Sequence, residues 1–258
     1  MKATLHIQVA KKNNSSFLKN IFFTPPFKVM NITEDKNEAP LHLMLMSSSP
    51  GILDADEYDI KIEVEQNATL HLHTQAYQRL FRMKLGASQQ MEVHLQDASS
   101  FCFLPHPTVP HEQAVFTSKN YFYLGNACRL VYGEIITCGR KLNNEAFLFS
   151  KYHSITQVFL NNKLVIKENL LMHPALINVN TIGQLEGYTH QASMIFLLPD
   201  ADIKKLQQKL IELLSTEKNI DAGISLLQVN GLIIRLLGNG AEQLFNCLQR
   251  INAVLPQG

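Results

Sequence analysis

The sequence predicts a mainly β protein, a solenoid-like body with two α-helices near the C-terminus. Three observations carry that expectation: a strand-turn-strand pattern occurs three times between Ser47 and Arg140, alternation continues on both sides of it, and the last fifth shifts to helical spacing. The three copies read Lys61-Ile62-Glu63-Val64-Glu65-Gln66-Asn67-Ala68-Thr69-Leu70-His71-Leu72, Met91-Glu92-Val93-His94-Leu95-Gln96-Asp97-Ala98-Ser99-Ser100-Phe101-Cys102-Phe103 and Tyr121-Phe122-Tyr123-Leu124-Gly125-Asn126-Ala127-Cys128-Arg129-Leu130-Val131-Tyr132. In each, apolar and polar residues alternate, a polar kink ends in alanine, and a second alternation follows. The alanines stand about 30 residues apart, and a fixed period of this length marks stacked repeats.

The elements follow in order. Residues 4–9 alternate as a strand, and Asn13-Asn14-Ser15-Ser16 is a turn. The pair Pro25-Pro26 donates no ladder hydrogen bonds, so the segment Phe22-Phe23-Thr24-Pro25-Pro26-Phe27-Lys28-Val29-Met30 is an edge or a crossing between strands. Residues 31–40 read as a loop and residues 41–46 as a strand. Beyond the repeats, residues 145–173 alternate again, with a hairpin turn at Asn161-Asn162-Lys163. From 200 to 216, Ile203, Leu206, Leu210, Leu213 and Leu214 recur at three- and four-residue spacing, the apolar face of a helix. A second helix fits 241–255, with Leu244, Phe245, Leu248, Ile251 and Leu255 on one side. Two short strands, 223–228 and 231–237, turn at Asn230-Gly231 between them. No Pro/Gly/Ser-rich linker precedes Asp200, so residues 1–258 are expected to form one domain, with a β body over 1–199 and a helix-strand-strand-helix appendage over 200–258.

Composition excludes some functions. A net charge of +1 argues against binding a phosphate backbone, which requires concentrated Lys and Arg. Cys102, Cys128, Cys138 and Cys247 show no Cys-x-x-Cys spacing, so neither a zinc knuckle nor a redox pair is indicated, and a reducing compartment fits. There is no apolar run long enough for a membrane span and no signal-like h-region, so the protein is expected to be soluble and cytoplasmic. Nucleophile and phosphate-loop motifs are missing as well, which leaves catalysis without positive support.

Three groups of residues bear on chemistry. His71 and His73 share one face of a strand, as Glu63 and Glu65 do; each pair is either a chelating pair or the wet face of a strand. Asp54, Asp56 and Glu57 crowd one turn, where carboxylates attract divalent cations or are simply solvated. In Leu104-Pro105-His106-Pro107-Thr108-Val109-Pro110-His111, the prolines stiffen a crossing that is either a docking surface or a corner.

Several of these motifs, in this order, resemble the UreD/UreH family of urease accessory proteins. The resemblance rests on Phe22-Phe23-Thr24-Pro25-Pro26-Phe27-Lys28, Ser49-Pro50-Gly51-Ile52-Leu53-Asp54-Ala55-Asp56, Thr74-Gln75-Ala76, residues 104–110, Gly133-Glu134-Ile135-Ile136-Thr137-Cys138-Gly139-Arg140 and Asn144-Glu145-Ala146-Phe147. Near the end, Ala222-Gly223-Ile224-Ser225 and Leu232-Ile233-Ile234-Arg235-Leu236-Leu237 extend it. The acidic turn departs from the glycine-rich form that many relatives carry, because Asp54 and Ala55 stand in it. The resemblance implies a β-helical barrel flanked by helices. It also implies a non-enzymatic scaffold that binds UreF, through it the GTPase UreG, and apo-urease, and that passes Ni²⁺ through an internal route with no tightly bound cofactor. The passage acids it implies are Asp56, Glu57, Glu134 and Glu168, with Gln78 at a small polar position where relatives carry Ser.

Glu134 shares a strand face with Tyr132 and Ile136; if that face is internal, its carboxylate needs water, a cation or Arg140 as partner. Two other readings stand beside the conduit: a metal-independent solenoid adaptor, and a carbohydrate-active β-helix enzyme using paired carboxylates. The second lacks the aromatic groove such an enzyme needs, Trp being absent.

Overall fold

The structure, a computed structural model, describes residues 1–35 and 40–256. From β1 (Lys2–Lys12) the chain turns at Asn13-Asn14 into β2 (Ser15–Phe23), crosses at Pro25-Pro26 to β3 (Phe27–Asn31) and resumes in β4 (Leu41–Ser47). Residues 36–39 of the loop expected over 31–40 lie outside the described residues. Next come β5 (Glu57–Val64), β6 (Thr69–Thr74) and the short β7 (Gln78–Leu80), then β8 (Ala87–Leu95), β9 (Ser100–Phe103) and β10 (Thr108–Pro110), then β11 (Val115–Leu124) and β12 (Arg129–Thr137). The hairpin of β13 (Lys151–Leu160) and β14 (Lys163–Met172) follows, then β15 (His190–Leu197), α1 (Ile203–Ser215), β16 (Ile220–Leu226), β17 (Gly231–Gly238) and α2 (Ala241–Val254).

Most strands fall into two sheets. The first runs β14-β13-β11-β8-β5-β1-β2 and the second β16-β17-β15-β12-β9-β6-β4-β3, with β7 and β10 paired off the second path. Within the first, β1, β5, β8, β11 and β13 are mutually parallel, and within the second so are β4, β6, β9 and β12. The chain thus alternates between sheets, and each return lays a strand beside the one before it. Antiparallel strands finish both sheets: β2 and β14 on the first, β3 and the run from β15 to β16 on the second. Those returning strands leave four open edges, so no closed barrel is found among the described residues, contrary to the barrel expected from resemblance.

The repeat is real but one residue out of phase with its alanines. Pairing aligns Thr69 with Ser100 and Ser100 with Arg129. Asn67, Ala98 and Ala127 therefore hold one place in the turn, all in the left-handed region, with φ of 60°, 56° and 52°. Ala68 instead matches Ser99 and Cys128, three buried side chains under the turn. The Pro25-Pro26 segment is a crossing between the edges of the two sheets, as its missing donors require.

Two apolar layers result. Between the sheets, Leu5, Ile62, Val93, Phe122 and Val158 of the first face Leu43, Leu70, Phe101 and Leu130 of the second. The outer face of the second sheet, with Val131, Met194, Phe196, Leu232 and Ile234, is covered by Leu206, Leu210 and Leu214 of α1 and Leu244, Leu248 and Ile251 of α2. Asp202 caps α1, its carboxylate accepting from the Lys205 N–H at 3.1 Å. Gly133 lets α2 lie close: a Cβ there would stand 2.6 Å from Leu104 and 3.4 Å from Leu248.

Candidate functional site

The inter-sheet core is dry at one end and polar at the other. On β11 the inward positions run Phe116, Ser118, Asn120, Phe122, and on β13 they run Tyr152, Ser154, Thr156, Val158, so hydroxyls and amides replace aliphatics over two rungs. A cavity of about 650 Å³ opens there, lined among others by Gln78, Gln89, Thr108, Asn120, Tyr132, Glu134 and Tyr152. Its rim carries Ser47, Gln75, Arg79 and Glu242, all exposed. Among the described lining residues the carboxylates are Glu134 and Glu242.

Alternation along β12 dictates the aim of Glu134. Val131 and Ile135 pack under the helices, so Tyr132, Glu134 and Ile136 face the other sheet. The Tyr152 hydroxyl donates to Glu134 Oε1 at 2.5 Å. Burial raises the Glu134 pKa above the usual carboxylate value; the Ser154 and Tyr152 hydroxyls oppose this, and the charge of Glu168 adds to it. Glu134 keeps partial exposure because its free side looks into the cavity. The same burial, with the Glu134 charge, pushes the Tyr132 and Tyr152 phenols far up, so both stay neutral donors. A carboxylate with one phenolic donor and an open side can take up a proton or a cation on that side, the two in competition.

The other expected residues are placed as follows. Gln78 lines the cavity, donating to Gln89 Oε1 at 3.1 Å and accepting from Thr108 Oγ1 at 3.3 Å. Asp56 is buried away from the cavity lining, where its carboxylate accepts from the Met1 ammonium at 3.0 Å and the Leu53 N–H at 2.8 Å. Glu57 lies on the outer surface, paired with Lys2 at 2.9 Å. Glu168, inward on edge strand β14, binds Arg235 of β17 at 2.6 Å and so ties the two sheets. Arg140 is not the partner of Glu134: it is exposed and forks onto both carboxylate oxygens of Glu145. It follows the end of β12 and turns outward with the Arg140-Glu145 loop.

The histidines give a second polar cluster on the outer face of the second sheet. His71 and His73 do share a face, and His42 of β4 joins them, its Nδ1 3.1 Å from His73 Nε2 and its ring 4.8 Å from His71. Burial first, then the charges of His42, Arg129 and His73, push His71 down to about 3. Among the described residues, no three or more His, Cys, Asp or Glu are arranged to hold a metal ion. All four cysteines are free and buried. The proline-rich segment is a corner in which β10 pairs with β7, and His106 stacks on Phe245 at 4.4 Å. Asp54 likewise serves the fold, accepting from the N–H groups of Leu85 and Gly86.

Sequence reasoning passed over Tyr152, Gln89, Asn120 and Glu242. The polar breaks in the inward register of β11 and β13 were the available signal.

Comparison with known proteins decides the family. Residues 1–257 match the family described as UreD urease accessory protein. The chain belongs to the UreD urease accessory protein family. A urease accessory protein UreD of Flavobacterium johnsoniae is 49% identical over 97% of this chain and 91% of its own length. The UreD proteins of Acetivibrio thermocellus and Haemophilus influenzae are 31% and 34% identical, over 98% and 92% of this chain and 97% and 92% of their own lengths. Among the described residues of this UreD family member, no helix is long and apolar enough to cross a membrane.

Proposed function

We propose that the chain is a non-enzymatic scaffold and nickel conduit of urease maturation, working in the cytoplasm between apo-urease and a UreF–UreG complex. Membership of the UreD family supports the urease role. The observation that carries the conduit is Glu134, an inward carboxylate with an open side on a 650 Å³ cavity. Ni²⁺ is strongly hydrated and takes oxygen and nitrogen ligands, so transit needs a wet wall with separated, weak ligands; a closed cage would trap the ion and a dry wall would impose a large desolvation cost.

A polar row supports an exit for this route. Glu134 pairs in register with Ser193 of β15, and Ser193 with Arg235 of β17, whose guanidinium is neutralised by Glu168 at the open edge of the first sheet. In this reading Glu134 is the relay inside, Glu168 and Arg235 mark the outer end, and the alternating sheets form a solenoid-like wall around the path. Asp56 and Glu57 act instead in support of the fold, holding the start of β1 beside β5. The whole described chain acts as one domain, with α1, α2, β16 and β17 stiffening the second sheet.

The test is a urease gene cluster expressed with and without this chain. The expected result is urease that co-purifies with the chain and holds nickel only when the chain is present. Full nickel occupancy in its absence would overturn the proposal.

A further inference from the structure

A second cavity, of about 630 Å³, lies where the turns between the sheets meet the start of α1 and the end of α2. At its wall is Arg129, the first residue of β12 and only 2% exposed. Arg129 Nε donates to the Pro256 carbonyl at 2.8 Å, while Nη1 and Nη2 are buried and make no hydrogen bond among the described residues, with the Cys102 thiol beside the guanidinium. Beside it in register stands Ser100, whose Oγ is also buried and unpartnered. Lys11, Lys205 and Lys209 line the same space. Among the described lining residues the carboxylates are Asp200 and Asp202; Asp202 caps α1, and neither bonds the guanidinium.

A guanidinium always carries its charge, and burying one without an anion costs more than any neighbouring contact here returns. The compensation present is neutral: the Pro256 carbonyl on Nε, the Cys102 thiol and, 5.9 Å from the guanidinium carbon, the Phe196 ring. Two NH2 groups in a planar fork match two oxygens of a phosphoryl or carboxylate group. The first turn of α1 adds a positive dipole end on the same side. The cavity has the volume of a small-molecule site.

We propose that this cavity binds an oxyanion-bearing small molecule, with its phosphoryl or carboxylate oxygens on the Arg129 fork and Ser100 Oγ and with Lys205 and Lys209 at the mouth. The site is separate from the Glu134 cavity, and a regulatory or positioning anion there would act on the α1–α2 layer. The test is thermal denaturation and titration calorimetry of the full chain at constant ionic strength, with pyrophosphate, citrate and polyglutamate as probes against chloride. The expected result is a saturable rise in Tm with pyrophosphate or citrate: the first assigns a phosphoryl ligand, the second a carboxylate ligand. Arg129→Met should abolish the saturable rise while melting higher than the parent in chloride alone. Lys209→Ala should keep the parent Tm in chloride and bind severalfold more weakly, which keeps the test decisive if the Arg129 variant misfolds. Equal, non-saturating gains in parent and variants would signify general salt stabilisation and overturn the proposal. Binding of polyglutamate alone would overturn it in favour of an acidic protein segment.

Discussion

Replacing Tyr152 by Phe removes one hydroxyl from the wall of the inner cavity and exposes how Glu134 is held. Tyr152 is 2% exposed, and its O–H is 2.5 Å from Glu134 Oε1. A hydrogen bond to an ionised group contributes about 1.5–3 kcal/mol and one between neutral groups about 1 kcal/mol. Tyr152→Phe should therefore lower stability by about 2 kcal/mol at pH values above the raised pKa of Glu134, and by about 1 kcal/mol in a Glu134→Gln background. The difference, about 1 kcal/mol, is the coupling that a double-mutant cycle reads from urea unfolding curves. Coupling should shrink as pH falls through the raised pKa of Glu134, because a protonated acid accepts more weakly. An equal cost in both backgrounds at every pH would refute the reasoning, since Glu134 would then not receive that bond.

Other expectations follow from the same geometry. Burial raises the folded pKa of Glu134 above its value of 4.5 in a solvated chain, so the native state holds the extra proton between those values and loses stability as pH rises through that window. Glu134→Gln should thus gain on the parent as pH rises from 4.5 and level off above the folded pKa; a Tm difference that is flat with pH would contradict this. Ala98 and Ala127 sit left-handed and exposed, at about 1–2 kcal/mol each. With about 0.5–1 kcal/mol of added chain entropy for glycine, Ala98→Gly and Ala127→Gly should each raise stability by about 0.5–1 kcal/mol in denaturant titrations. Phe122 is fully buried, 4.8 Å from the Tyr132 ring, and Phe122→Ala should cost about 3–5 kcal/mol; a loss under 1 kcal/mol would mean that the dry end is not packed.

The strands and helices were legible because each carries its own period. Ile203, Leu206, Leu210 and Leu214 describe a helix face on any backbone, and the 13-residue α1 follows them. Asn161 and Asn162 accept positive φ, and the β13–β14 hairpin turns there. Strand β15 escaped attention although His190-Gln191-Ala192-Ser193-Met194-Ile195-Phe196-Leu197 alternates, because both its faces are covered and the contrast is weak. Closure of a sheet depends on how its last strands return, which no local pattern states; hence the missing barrel. That Glu134 shares a face with Tyr132 and Ile136 was legible, but its inward aim was not, because Val131 and Ile135 make the opposite face apolar too. The partners of Asp56, Glu168 and Arg140 were not legible either, since Met1, Arg235 and the outward course of the Arg140-Glu145 loop are matters of tertiary placement.

The most direct test of the conduit is the nickel content of urease matured with a Glu134→Ala variant that still co-purifies with urease and UreF. The expected result is an intact complex whose urease holds at most about a tenth of the normal nickel, because a ligand contribution of about 1.4 kcal/mol is lost at the relay. An intact complex with full nickel occupancy would contradict it.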